Sequence, residues 1–232
     1  MDPRKRQKKL ERRRAKEKAQ KKALATHDPR ALTTRIERAA SAPFLHCYTT
    51  SVLWDEGMSH VVVSRLLESG NVAFAVFLLD VYCLGVKDVM FDIVSRNRYD
   101  GLVYGKLLRE HDPVTLEPAA ARKLIEGAVA FARTHGLPPH RDYPKAKLIF
   151  GEVDPNACGD KFVYGKDGKP FFIAGPYDRP SRCRQIIDTL TASCGPDGFH
   201  YILPISQSMG RSLAAGTLVD EDEGEDEDSP IE

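Results

Sequence analysis

The apolar positions of this chain change period along its length, and each change marks an element. From Phe44 the pattern is two-fold: Leu45, Cys47, Thr49 and Ser51 alternate with His46, Tyr48, Thr50 and Val52. A turn signal at Asp55-Glu56-Gly57 follows, then Val61-Val62-Val63 and Leu66-Leu67, and a second turn signal at Ser69-Gly70-Asn71. Val72 to Leu84 is almost continuously apolar and rich in Val, Phe, Leu and Tyr. Three runs of this kind, joined by short Gly-containing turns, predict an antiparallel meander. The third run predicts a strand buried on both faces.

Beyond the meander the period becomes helical. Lys87–Ser95 places Val89, Met90, Ile93 and Val94 on one side of a helix. Leu124, Ile125, Ala128, Val129 and Ala132 form a stripe within a helix over about 116–135, with Thr115 as its N-cap and Gly136 just past its end. Asp142 is placed to cap a short helix through Phe150. The run Phe162–Tyr164, the turn Gly165–Lys169 and the run Pro170–Ala174 predict a hairpin, because Asp-Gly accepts positive φ. Asp178 caps a helix over 179–193 whose stripe is Cys183, Ile186, Ile187 and Leu190, and 199–205 reads as a last strand. The expected fold is therefore α+β: an antiparallel β-meander followed by helices and a hairpin–helix–strand unit.

Charge divides the chain into parts. Residues 1–23 carry twelve bases (Arg4, Lys5, Arg6, Lys8, Lys9, Arg12, Arg13, Arg14, Lys16, Lys18, Lys21 and Lys22) against Asp2, Glu11 and Glu17, a net of +9. Residues 220–232 carry nine carboxylates and no base. The formal net charge of +1 thus conceals a basic arm, a nearly neutral body and an acidic tail. Such blocks mark solvated interaction segments. The expected organisation is a basic helical arm over 1–26, a linker with a short helix over 27–43, a globular domain over 44–205, and a disordered acidic tail over 206–232. The twelve bases of the arm are the expected nucleic-acid-binding residues, since Lys and Arg neutralise phosphates and release counterions. The partner expected from them is nucleic acid or a ribonucleoprotein, RNA ahead of DNA.

No apolar run reaches the ~20 residues needed to cross a bilayer, and the N-terminus lacks a secretory pattern. A cytoplasmic protein without a membrane partner is expected. The five cysteines (Cys47, Cys83, Cys158, Cys183 and Cys194) are widely spaced and include no CxxC, which argues against a disulfide framework or a zinc module.

No motif names a reaction. Asp80 is the foremost chemical candidate, because it follows an apolar strand where an unpaired carboxylate is costly. With Asp88 and Asp92 it makes a candidate catalytic set that would hold Mg²⁺ or Mn²⁺ for hydrolysis, an alternative to the binding function that otherwise calls for no cofactor. The competing reading is a strand-end Asp that bonds a turn amide or pairs with Arg or Lys. A third class is a protein–protein adaptor using the arm as a helical ligand. Gly165–Lys169 lacks the spacing and the following helix of a phosphate loop. Aromatic residues Tyr143, Phe162, Tyr164, Phe171, Phe172 and Tyr177 interleave with Lys145, Lys147, Lys161 and Lys166, a pattern found at single-stranded nucleic-acid sites. Packing of the rings into the core explains the same pattern.

The blocks FLLDVYCLGVKDVMF (77–91), HRDYPKAKLIFGEVD (140–154) and GKDGKPFFIAGPYDRP (165–180) are similar to a group of uncharacterised bacterial proteins over about 44–205. The resemblance implies that the body is one coherent unit and carries no activity, ligand or catalytic residue with it.

Overall fold

The computed structural model of the chain describes residues 29–103, 105 and 112–203. The basic arm and the acidic tail lie outside the described residues. A helix, α1 (Pro29–Ala39), leads into strand β1 (Phe44–Thr50), a single helical turn α2 (Leu53–Glu56), and strands β2 (Met58–Leu66), β3 (Asn71–Asp80) and β4 (Gly85–Ser95). Helix α3 (Arg96–Leu102) and the short strand β5 (Pro113–Thr115) follow. The five strands form one antiparallel sheet in the order β4-β3-β2-β1-β5. Helix α4 (Pro118–Thr134), the turn α5 (Tyr143–Ala146) with its 3₁₀ extension Lys147–Phe150, and a unit of β6 (Phe171–Ile173), α6 (Pro180–Cys194) and β7 (His200–Ile202) complete an α+β fold.

The continuous apolar run forms the centre of the sheet, as its composition predicts. Ala73, Ala75, Phe77 and Leu79 of β3 face a core shared with α1, α4 and the 143–150 segment. Val72, Phe74 and Val76 point the other way, toward Tyr99 of α3 and Val103. The Tyr99 hydroxyl is 2.9 Å from Ser64 Oγ, so the polar atoms of this second core are paired. Helix α1 is part of the main core, with Ile36 and Ala39 buried in it. The short helix expected within this part of the chain is thus packed into the core.

Several local expectations are corrected. The segment 87–95 is not a helix but most of β4, paired with β3 from Asn71↔Ser95 to Asp80↔Gly85. A short segment with Val89, Met90, Ile93 and Val94 satisfies both the helical and the two-fold period. The adjoining β3 decides between them, because its ten residues present a full row of backbone groups that need partners. Gly85 permits the connection: its φ is +65°, and a Cβ there would lie 2.9 Å from the Ala128 carbonyl oxygen.

Thr115 does not cap α4. It pairs with Tyr48 in β5, while Glu117 precedes Pro118 at the first helical turn. The expected 162–174 hairpin shrinks to one bridge, Lys166↔Lys169, around Asp167 (φ 53°) and Gly168 (φ 77°). Phe171–Ile173 pairs instead in parallel with His200–Ile202. Phe162 and Tyr164 pack against the main core, which removes the first arm of the hairpin. Asp178 leaves the cap of α6 to Arg179 and turns to Lys87.

Arg65 shows how the sheet is joined to its helices. It is 5% exposed, and no acidic group forms a salt bridge with it among the described residues. Its guanidinium donates to the carbonyls of Ile149 (2.9 Å), Phe150 (2.8 Å) and Ala42 (2.5 Å), and lies 3.5 Å over the Phe44 ring. Five donors in a planar fork suit this task, and the carbonyls supply the negative end of the interaction.

Candidate nucleic-acid interface

Asp80 ends β3 with its carboxylate buried, where the strand gives way to the turn 81–84. Its Oδ1 accepts hydrogen bonds from the backbone N–H groups of Tyr82 (2.9 Å) and Cys83 (2.8 Å). Burial pushes its pKa up to about 6, opposed by the turn amides and by the more distant Lys87. Of the two structural roles open to this residue, the geometry selects turn amides over a cationic partner.

Asp88 lies opposite Leu78 on β4 and Asp92 opposite Phe74. Each accepts a hydrogen bond at 2.7 Å from the next backbone amide, Val89 and Ile93 respectively. Four residues along a strand separate the two by about 13 Å. The three candidate carboxylates therefore do not converge on one point. No group of three or more His, Cys, Asp or Glu is arranged to hold a metal ion among the described residues.

What the Asp80 turn does accomplish is to send Cys83 into one core and to leave Tyr82 half-buried at the edge of another. The Tyr82 hydroxyl donates to the Trp54 carbonyl. Its ring passes directly over Gly57, whose φ is +74° and where a Cβ would fall 1.9 Å from the ring. Only glycine allows this approach. Trp54 stacks on Phe162, with centroids 6.0 Å apart and planes at 12°. Tyr82 stacks on Phe171 at 6.2 Å and 30°. Lys166 Nζ lies 5.1 Å from the Phe171 centroid and 5.9 Å from that of Tyr82, within cation–π range. Trp54 is 43% exposed, and the chain segment that supplies Phe162 and Phe171 also carries exposed Lys161, Lys166 and Lys169, the last with its Nζ donating to the Asp197 carbonyl at 2.8 Å. The result is an aromatic platform with Lys166 at its rim.

The interleaved pattern in the sequence thus separates into two groups. Tyr143 and Phe172 are core residues, and Tyr164 is half-buried with its hydroxyl donating to the Leu124 carbonyl at 3.1 Å. Lys145 and Lys147 face Asp142 and Glu126. Phe162 and Phe171 are half-buried and join the platform with Lys166, whereas Lys161 and Tyr177 are exposed. Trp54 and Tyr82 complete the platform and were not singled out from the sequence. Trp54 sits beside a turn signal and Tyr82 inside an apolar run, and neither position announces a surface ring.

A second surface lies at the other end of β4. Arg35 of α1, Arg98 of α3, Arg141 and Lys145 line a groove of about 830 Å³ together with Asp92 and Asp142. Asp142 is 2.7 Å from Lys145 and 3.7 Å from Arg141, and its hydrogen bond to Lys145 holds its carboxyl below the ordinary range. Arg35 and Arg98 have no acidic partner among the described residues, so the groove keeps excess positive charge. The helix that carries Arg35 follows the basic segment 1–23 in the chain. The twelve bases of that segment (Arg4 to Lys22) lie outside the described residues. No helix among the described residues is long and apolar enough to cross a membrane.

No protein-family model matches this chain, and no curated protein and no solved structure is significantly similar to it.

Proposed function

We propose that this protein binds single-stranded nucleic acid, with unpaired bases stacking on the platform and phosphates attracted by the arm and the basic groove. The observation that carries the reading is the pair of stacked rings, exposed Trp54 on half-buried Phe162 and half-buried Tyr82 on half-buried Phe171, linked by the Tyr82 hydroxyl and rimmed by Lys166. Base–aromatic stacking contributes about 1–3 kcal/mol per base and tolerates any sequence. The arm adds attraction that weakens steeply with salt, by about 0.7 of a counterion per phosphate on a single strand. The acidic segment 220–232 competes with the polyanion for the same bases, so it limits weak, nonspecific binding.

The chain contains one tryptophan, and it lies in the platform. Its fluorescence therefore reports occupancy directly. Titration with oligo(U) and with oligo(dT) at several salt concentrations is expected to quench Trp54, with affinity falling as salt rises. Deletion of 1–23 is expected to reduce both the affinity and its salt slope. Absence of quenching at low salt with both oligonucleotides defeats the platform reading, and an unchanged salt slope after the deletion defeats the role of the arm.

A further inference from the structure

A third concave site lies where the first half of β4 meets the segment ahead of α6. It shares only Arg141 with the basic groove and no residue with the platform. Its volume is about 770 Å³, within the usual range for sites that enclose a small molecule. The floor is apolar, built from Met58, Leu78, Leu84, Val86, Leu137 and Ile186.

Both walls are fixed by polar contacts. On one side Lys87 Nζ is 2.7 Å from Asp178 Oδ2, with the two side chains only 18% and 19% exposed. The Gly175 N–H donates to the same oxygen at 2.7 Å, which clamps the 175–178 segment onto β4. On the other side Pro138 and Pro139 precede His140, whose N–H donates to the Val86 carbonyl at 2.8 Å. The Asp142 N–H points at His140 Nδ1 (3.3 Å), so Nδ1 is the acceptor and the ring proton resides on Nε2. Nε2 lies 3.7 Å from Asp88 Oδ1, too far for a hydrogen bond, and keeps its donor for another acceptor.

The charge balance of the rim then identifies the ligand class. Asp178 is taken by Lys87 and Gly175, and Asp88 accepts from the Val89 amide. Arg182 hydrogen-bonds a neutral amide oxygen, that of Gln185 at 2.9 Å, and its charge also favours the nearby ionised Asp178 without bonding it. Arg141 is 3.7 Å from an Asp142 that Lys145 already holds at 2.7 Å. The rim thus offers a donor on His140 and two guanidinium groups that are not hydrogen-bonded to a carboxylate, all suited to an anion. Two carboxylates on the same rim disfavour a head with more than one negative charge.

We propose that this cleft binds a small amphipathic monocarboxylate, its apolar body on the Val86–Ile186 floor and its carboxylate at the rim of His140, Arg141 and Arg182. Apart from Arg141, which the cleft shares with the basic groove, the proposal is independent of nucleic-acid binding. Isothermal titration calorimetry of the full chain with octanoate tests it, with octylamine and octyl phosphate as comparison ligands. Saturable binding of octanoate in preference to both is expected. The exposed double variant Arg141→Ala/Arg182→Ala is expected to retain the melting temperature and bind octanoate about tenfold more weakly or worse. Lys166→Ala, on the platform, should leave octanoate affinity unchanged. No saturable octanoate binding, equal or tighter binding of octylamine or octyl phosphate, or unchanged octanoate affinity in the double variant overturns the proposal.

Discussion

Two buried charges sit at opposite ends of the central strands, and the chain accommodates them in opposite ways. Arg65, opposite Ala73, is surrounded by three carbonyl oxygens and a phenylalanine face. Asp80, opposite Met58, is surrounded by backbone N–H groups. Neither relies on a salt bridge. Backbone dipoles can replace a counter-ion because they are already fixed by the fold and need no further ordering. The difference lies in what each residue can do when the environment is poor. Arginine cannot lose its proton, so its site must always satisfy the cation. Aspartate can take up a proton, and its pKa of about 6 records that partial escape. The Arg65 end joins the sheet to α1 and the 143–150 segment. The Asp80 end shapes a largely buried turn that carries the half-buried Tyr82.

The largest effect expected from breaking this comparison is at Arg65. Arg65→Leu fills part of the space but leaves the carbonyls of Ala42, Ile149 and Phe150 without their donor, and should cost about 3–5 kcal/mol. Urea denaturation measures it. A loss under about 1 kcal/mol would show that water or neighbouring donors replace the guanidinium.

At Asp80 the effect is one of pH. The folded-state pKa is raised above its ordinary value of 3.8, so between the two values the folded chain binds more protons than the unfolded chain. Its contribution is therefore unfavourable above pH 6 and is relieved as pH falls toward 4, by about 3 kcal/mol in total. Asp80→Asn retains an oxygen for the turn amides and removes the titration. The stability of the native protein relative to this variant should rise as pH falls from 7 to 4, as followed by thermal unfolding at each pH. A pH-independent difference would mean that the buried carboxylate has its ordinary affinity for protons.

The functional asymmetry of the two ends is tested by binding. Trp54→Ala should weaken binding to oligo(U) by about 1–3 kcal/mol, read by fluorescence anisotropy of labelled nucleic acid. Asp80→Ala, which frees the turn beneath Tyr82, should weaken it to a smaller extent, whereas Arg65→Lys should leave the affinity of the folded protein unchanged. Lys166→Ala should cost the least, about 0.5–1 kcal/mol, as expected for an exposed cation on a ring. Equal losses at both ends would indicate that binding follows overall stability and not the platform.

The candidate site was less legible than the fold. Phe162 and Phe171 stood out through their neighbouring lysines, but nothing within reach of either along the chain indicated Trp54 or Tyr82. Those rings meet because Gly57 and the Asp80 turn bring residues 54 and 82 against the segment that holds Phe162 and Phe171, far along the chain. Asp80 stood out through the cost of its burial. Both of its readings, ligand for a metal and anchor for a turn, predict the same apolar run with one acid at its end, and only the positions of Asp88, Asp92 and the turn amides separate them.

By itself the sequence determined the elements whose period is unambiguous. The helix expected over 116–135 and the one expected over 179–193 follow from apolar stripes long enough to fit one period only, and the continuous run from Val72 gives the buried central strand, which the structure ends at Asp80, four residues short of the run's end at Leu84. It also determined the segregation of charge between the two ends of the chain, because charge is a property of composition. The tertiary structure alone decided that 87–95 extends the sheet, that 171–173 pairs in parallel with 200–202, and which aromatic rings reach the surface. Short segments satisfy more than one period, and their backbone groups adopt whichever form finds hydrogen-bond partners. Those partners are supplied by residues distant in the chain, so the choice is made only when the chain has folded.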